Sequence, residues 1–188
     1  MNIKDELSAL KEEKIASEEI YDGAIMHITR DTVSLPDNNT AYREIMHHVG
    51  AVCVIPVDGD GNVILERQYR YAAGTVMTEI PAGKLDSPTE DRLSAAKREL
   101  REETGYTAES WHCLGDFYPA PAYSTERITM YLARELKRGE RELDEDEFLT
   151  VFTMPLTELV AMVNEGKIPD AKTQLAALRA QQVINEIK

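Results

Sequence analysis

Seven residues between Gly83 and Gly105 have the types and spacing to do chemistry: Gly83, Glu90, Arg98, Glu99, Glu102, Glu103 and Gly105. A glycine loop runs into a stretch that ends in three glutamates and then a glycine. Clustered carboxylates beside a loop are what a protein needs to hold a divalent cation against a diphosphate, because such cations take hard oxygen ligands. At ordinary residue usage of about 5–7% per type, the seven matches would arise by chance at roughly one starting point in 10⁸.

The elements that must position these residues are legible too. Ser87 is a candidate N-cap, Pro88 suits the first helical position and Glu90 is spaced to reach back in a capping box. Gly105 supplies the left-handed residue that ends the helix. On a helical wheel Leu93, Ala96 and Leu100 form the core stripe. Glu99 and Glu103 flank it one turn apart, while Glu102 points toward solvent, four residues after Arg98.

This segment resembles the signature of the Nudix hydrolases. Six residues, Lys84 to Thr89, separate the first glycine from the first glutamate, where the family pattern has five; the extra residue falls in the loop and should leave the helix register intact. The resemblance implies a Nudix-type α/β/α sandwich with a mixed β-sheet. It also implies Glu99 and Glu103 as metal ligands, with Glu102 and the Ala82 carbonyl joining them, and Mg²⁺ as the cation, Mn²⁺ being the alternative.

Further matches point to the ADP-ribose pyrophosphatase branch of that family. Pro121 lies sixteen residues after Gly105, Glu79-Ile-Pro-Ala-Gly-Lys84 is similar to the branch's Glu-Leu-Pro-Ala-Gly-Lys, and Asp170-Ala-Lys-Thr is similar to the start of its C-terminal helix. The acidic run Glu142-Leu-Asp-Glu-Asp-Glu147 looks like the mobile loop that carries the general base in that branch. Matched position by position, the resemblance makes Glu145 the base and Glu147 a further metal ligand. It makes Arg70 a substrate contact, puts Arg43 and Glu44 near the nucleoside, and makes Glu126 a substrate-side carboxylate. Ala120-Pro-Ala-Tyr123 replaces the usual Ser-Pro-Gly-Phe, and Ala122 lacks glycine's access to positive φ. The implied reaction is hydrolysis of ADP-ribose to AMP and ribose 5-phosphate. Two alternatives remain open: another nucleotide sugar such as GDP-mannose, or a catalytically silent ADP-ribose sensor.

Along the rest of the chain, residues 5–14 read as a short charged helix or a loose start. Strand-like stretches follow at Ile25–Thr29, Thr32–Leu35 and Ala41–Met46, with a turn at Pro36–Asn39. Residues 1–46 thus form a small β segment, too small to bury a core alone, and residues 47–188 the hydrolase domain. In this branch such segments cross over in a homodimer. Ala51–Val57 is a buried strand, Asp58–Asn62 a turn without calcium-loop spacing, and Val63–Tyr69 its hairpin mate. Val76–Ile80, Trp111–Tyr118, Ile128–Leu136 and Phe148–Met154 are further strands. Leu156–Asn164 and Ala171–Ile187 are helices. The elements interleave without a regular βαβ repeat.

Composition bounds the function classes. The 188 residues and 43% hydrophobic content support one domain of ordinary size with a small appendage. A net charge of −13 disfavours a nucleic-acid surface, which needs clustered Lys and Arg. An acidic protein still binds an anionic nucleoside diphosphate sugar if a cation reverses the local field. No apolar run approaches the ~20 residues of a membrane span, and the start is too charged for a signal peptide, so a cytoplasmic protein is expected. Cys53 and Cys113 are expected as two buried thiols rather than a disulfide. The four histidines lack zinc-ligand spacing.

Overall fold

The computed structural model describes residues 3–143 and 148–187. The chain divides into two compact units, one of Met1–His48 with Ala120–Glu126, the other of Val49–Pro119 with Arg127–Lys188.

In the first unit, α1 (Ile3–Ser8) precedes an antiparallel sheet of β1 (Glu13–Asp22), β2 (His27–Ser34) and β3 (Thr40–His47), ordered β1-β2-β3. The two stretches expected at Ile25–Thr29 and Thr32–Leu35 are one strand. Register runs unbroken from His27 opposite His47 to Ser34 opposite Thr40. The charged residues between the two stretches, Arg30 and Asp31, are accommodated within the strand: Arg30 reaches Glu18 at 2.7 Å, and buried Asp31 accepts from the Ser17 hydroxyl at 2.5 Å. β1 has no apolar alternation and is exposed along its length, which is why the sequence hides it. The segment 120–126 joins this unit through Met46, whose N–H donates to the Tyr123 carbonyl at 2.7 Å and whose carbonyl accepts from Thr125 N–H at 3.0 Å. Among the described residues only Asn38 and Glu135 are non-glycine positions with positive φ. Ala122 therefore takes its place in the turn without left-handed strain.

The second unit contains β4 (Ala51–Pro56), β5 (Asn62–Arg70), β6 (Thr75–Glu79), β7 (Ala82–Lys84), α2 (Arg92–Thr104), β8 (Tyr106–Phe117), β9 (Ile128–Arg138), β10 (Leu149–Pro155), α3 (Leu156–Asn164) and α4 (Ala171–Ile187). A four-stranded sheet runs β7-β4-β9-β8 and a three-stranded sheet β10-β5-β6. The larger sheet is mixed: β4 pairs parallel with β9, while β7 and β8 are antiparallel to their neighbours.

Every residue of β4 is buried, the pattern of a strand covered on both faces. Val52 and Val54 pack with Ala95, Ala96 and Leu100 of α2. Ala51, Cys53 and Ile55 pack into the other layer, with Leu159 of α3 and Ala176, Ala177 and Ala180 of α4. This is the expected α/β/α sandwich around a mixed sheet. Asp58 closes the β4–β5 turn by accepting from the N–H groups of Asp60 and Asn62 at 2.9 and 2.8 Å.

Two local expectations are corrected. The motif helix starts at Arg92, capped by Asp91, whose carboxylate accepts from Ser94 N–H at 2.8 Å. Ser87 does not cap it, and Glu90 accepts from Asp86 N–H at 2.6 Å instead of closing a capping box. Asp91 and Ser94 supply a complete cap by themselves, so the helix has no need of the earlier serine. Of the two cysteines, Cys53 is buried but Cys113 is exposed, and both are free. The register of β8 against β9 shifts between Cys113 and Gly115, so the alternation of faces breaks there. Leu114 takes the buried place that Cys113 was expected to fill.

Candidate active site

The glutamates of α2 are held by a backbone that approaches them closely. Ala95, Ala96 and Leu100 pull one face of the helix into the core, which carries Glu99 and Glu103 below the surface as well. Glu103 accepts from the Ala82 N–H at 2.9 Å. Glu99 lies against Gly83 so tightly that a Cβ added there would fall well inside 3.0 Å of its carboxylate. Glycine at 83 is thus what lets the Glu99 carboxylate lie this close to the loop. At the far end Gly105 adopts φ 75° and its N–H closes on the Arg101 carbonyl, stopping the helix immediately after Glu103 and Thr104.

Arg98 ties the preceding loop to this helix. Its guanidinium donates to Glu99 at 2.7 Å, to Glu102 at 3.3 Å and to the Lys84 carbonyl at 3.2 Å. It also pairs with Glu90 at 3.4 Å and Asp86 at 3.5 Å. Burial pushes the guanidinium's pKa down, but Glu99, Asp86 and Glu102 outweigh it and the group is held above its ordinary value. Arg98 thus contacts the six-residue loop at Lys84 and Asp86 and meets Glu90 at the loop's end.

A cavity of about 580 Å³ is lined by Arg70, Ala82, Gly83, Lys84, Asp86, Arg98, Glu99, Glu102 and Glu142, with Leu85. Of the residues read from the sequence, this brings together Ala82, Glu99, Glu102 and Arg70, with Glu103 bonded to Ala82. Arg43, Glu44 and Glu126 belong to the other unit. There Arg43 forms a two-pronged pair with Glu12 at 2.9 and 2.5 Å, Glu44 is exposed on β3, and Glu126 lies 3.8 Å from His48. Glu145 and Glu147 lie outside the described residues. Their run begins at Glu142, whose N–H donates to the Glu102 carbonyl at 3.2 Å and whose carboxylate meets Arg101 at 3.1 Å.

Three partners of Arg70, direct or through one another, escaped the sequence reading. Arg70 is gripped by Glu79, with Nε and Nη2 each 2.8 Å from its two oxygens. Glu79 also accepts from Lys172, which lies 3.1 Å from Asp170. Burial pushes the Glu79 carboxyl up, but Arg70 and Lys172 outweigh it and hold it below the usual carboxylate range. The available signal was Glu79 at the end of the strand-like Val76–Ile80 stretch, implying a buried partner; Lys172, among Asp170, Thr173 and Gln174, gave none.

Whether this set suits a divalent cation is decided by its chemistry. Its donors are all hard oxygens, two buried carboxylates one helical turn apart, a third on the rim and a neighbouring peptide, which fit a small hard dication. Among the described residues no three acidic, His or Cys side chains converge on one point, and Arg98 holds Glu99 and Glu102 in place. The Gly83 cradle keeps the Glu99 carboxylate against the loop backbone.

Among the described residues no helix is long and apolar enough to cross a membrane. The chain is 38% identical to the ADP-ribose pyrophosphatase of Bacillus subtilis (strain 168), over 90% of this chain and 92% of that protein. It is also 38% identical to the methanol dehydrogenase activator of Bacillus methanolicus, over 88% and 90%. A GDP-mannose pyrophosphatase of Yersinia enterocolitica is 32% identical over 78% of this chain and 83% of its own length. The fold of this chain matches the crystal structure of an ADP compounds hydrolase with a TM-score of 0.83 at 22% identity, covering 94% of this chain and 96% of that one. The NUDIX domain family model matches residues 46–177. With that match spanning most of its length over the glutamate helix and its glycine loop, the chain belongs to the Nudix family and is a Nudix hydrolase.

Proposed function

We propose that this chain hydrolyses the diphosphate bond of a nucleoside diphosphate sugar, ADP-ribose first, releasing AMP and ribose 5-phosphate, with Mg²⁺ as the preferred divalent cation and Mn²⁺ as the substitute. The observation that carries the reading is the pair of buried glutamates, Glu99 and Glu103, drawn onto the backbone of Ala82 and Gly83 in a cavity that also holds Arg70. The relatives named ADP-ribose pyrophosphatase support the substrate.

Glu99, Glu103 and Glu147, with Glu102 and the Ala82 carbonyl, would hold the cation. When bound it supplies Lewis acidity toward the diphosphate oxygens and makes water a stronger acid. Glu145 takes the proton of the attacking water, and Glu142 on the cavity rim anchors the acidic run that carries it. Arg70 faces the diphosphate with a cation whose charge persists at any working pH, since Glu79 raises its pKa further. Arg43, Glu44 and Glu126 take the nucleoside side.

Residues 1–46 act as a dimerisation segment and residues 47–188 as the hydrolase domain, in a homodimer whose N-terminal segments cross over, in the cytoplasm. The exposure of Ile15, Ile20 and Tyr21 on β1 supports this, since a strand with that much apolar surface gains from a cover. Light scattering should give twice the chain mass; a fully active monomer would refute it.

Base selectivity is tested by competition. With ADP-ribose and GDP-mannose at equal concentration, AMP should form well ahead of GMP. The reverse order would assign the protein to the GDP-mannose substrate, as in the Yersinia relative.

A further inference from the structure

Arg70 reaches the cavity from the end of β5 with its orientation already set. Nε and Nη2 are spent on the two oxygens of Glu79. The guanidinium therefore turns its remaining edge, Nη1 and the second Nη2 hydrogen, away from Glu79. The side chain keeps 40% exposure, whereas Glu79 keeps 1%.

Glu79 is fixed from behind by the first turn of α4. Its Oε2 accepts from Lys172 Nζ as well as from Arg70. Asp170 caps α4 by accepting from Thr173 N–H at 2.9 Å and from the Thr173 hydroxyl at 2.5 Å, and it meets Lys172 at 3.1 Å. Thr173 in turn accepts from the Ile80 N–H at 3.0 Å. Two consecutive residues at the end of β6, one by side chain and one by backbone, are thus bolted to one helical turn.

Lys172 is not where helix stability would put a lysine. In the first turn its charge opposes the helix dipole, and at 11% exposure it carries a desolvation cost that only good partners offset. Both partners are present, Glu79 and Asp170. Remove Lys172 and the Glu79 carboxylate keeps one cation, losing the contact that stops it turning about its terminal torsion.

We infer that Lys172 and Glu79 are positioning residues, through which α4 fixes the edge of Arg70 that meets the diphosphate. The kinetic consequence rests on the diphosphate-hydrolase reading; the orientation of Arg70 does not. A simple staple between α4 and β6 would stabilise the fold without setting Arg70.

The test uses the full chain with Lys172→Met, Lys172→Arg, Glu79→Asp and Arg70→Ala. Lost positioning of a group that binds substrate and transition state alike should raise KM for ADP-ribose about tenfold in Lys172→Met, with kcat changed less than about threefold. Lys172→Arg restores the cation and should recover most of the loss. Against Arg70→Ala, Lys172→Met should add less than about twofold, since the relay then has nothing to position. A staple would instead multiply its effect independently of Arg70.

A second readout needs no substrate. The Nε–H correlation of Arg70 in an ¹⁵N spectrum, assigned by its disappearance in Arg70→Lys, should shift or broaden in Lys172→Met and return in Lys172→Arg. If Lys172→Met does not fold, Glu79→Asp keeps the charge and shortens the arm, and should move the same signal and KM. An unmoved Arg70 signal in a folded Lys172→Met or Glu79→Asp protein overturns the inference. A wild-type protein inactive on ADP-ribose would refute the substrate reading and leave the spectrum to decide the relay.

Discussion

Gly83→Ala separates catalytic geometry from folding. A methyl at 83 would overlap both oxygens and the Cδ of Glu99, and ordinary contact begins only at 3.4 Å. The carboxylate must withdraw by about 1 Å or more, a displacement that costs on the order of 10²-fold in rate when it falls on a positioned catalytic group. The obstructed atoms are the far end of a side chain, so the backbone need not move. The stability loss should stay in the about 1–3 kcal/mol range of an overpacked site. Part of that loss is the Arg98–Glu99 bond, 2.7 Å before the change. The assay is AMP release at saturating and limiting ADP-ribose beside a urea titration of the same preparation. A fall in kcat/KM of about 10²-fold with a cooperative unfolding curve is the expected result. A variant within threefold of wild type would refute the argument that the Glu99 position is set by the missing Cβ.

Leu100→Ala empties a side chain buried between α2 and β4 and should cost about 2–5 kcal/mol in urea unfolding. Glu79 ties stability to pH. Its folded carboxyl pKa is depressed, so its contribution is complete above the unfolded value of about 4.3 and is lost as pH falls through the folded value. Unfolding titrations should therefore show a shallower acid loss in Glu79→Gln than in wild type. The Cys53 thiol, pushed up to about 12 by burial, should resist alkylation while exposed Cys113 reacts. Intact-mass measurement of the native protein should find one adduct, and two only after unfolding.

What the sequence discloses and what it hides follow from the range of the interactions. The bounds of α3 and α4 are readable as they stand, because caps, turn residues and apolar spacing act within a few residues. The glutamate helix is readable for the same reason, though its start is masked by two competing caps, Ser87 and Asp91. β1 is hidden because its partner and its ion pairs lie on β2, and nothing in Glu13–Asp22 alternates. The outward turn of Cys113 depends on a bulge, which is a property of two strands together. Glu79 and Lys172 are 93 residues apart in sequence, and only folding reveals that they share a bond. Glu99 and Glu103 were identifiable from spacing, but not what glycine at 83 makes possible, which is the close approach of a loop to the Glu99 carboxylate.

The central claim is that the α2 glutamates form a metal-dependent diphosphate-cleaving centre. Its most direct test is chromatographic measurement of AMP from ADP-ribose with Mg²⁺ and after chelation, with Glu103→Gln alongside. Partners of metal ligands already cost about 10–100-fold when removed, so loss of a ligand should exceed that. The account predicts AMP from wild type only with the cation, and a loss beyond about 100-fold in a Glu103→Gln protein that still unfolds cooperatively. Near-wild-type turnover by folded Glu103→Gln would contradict it.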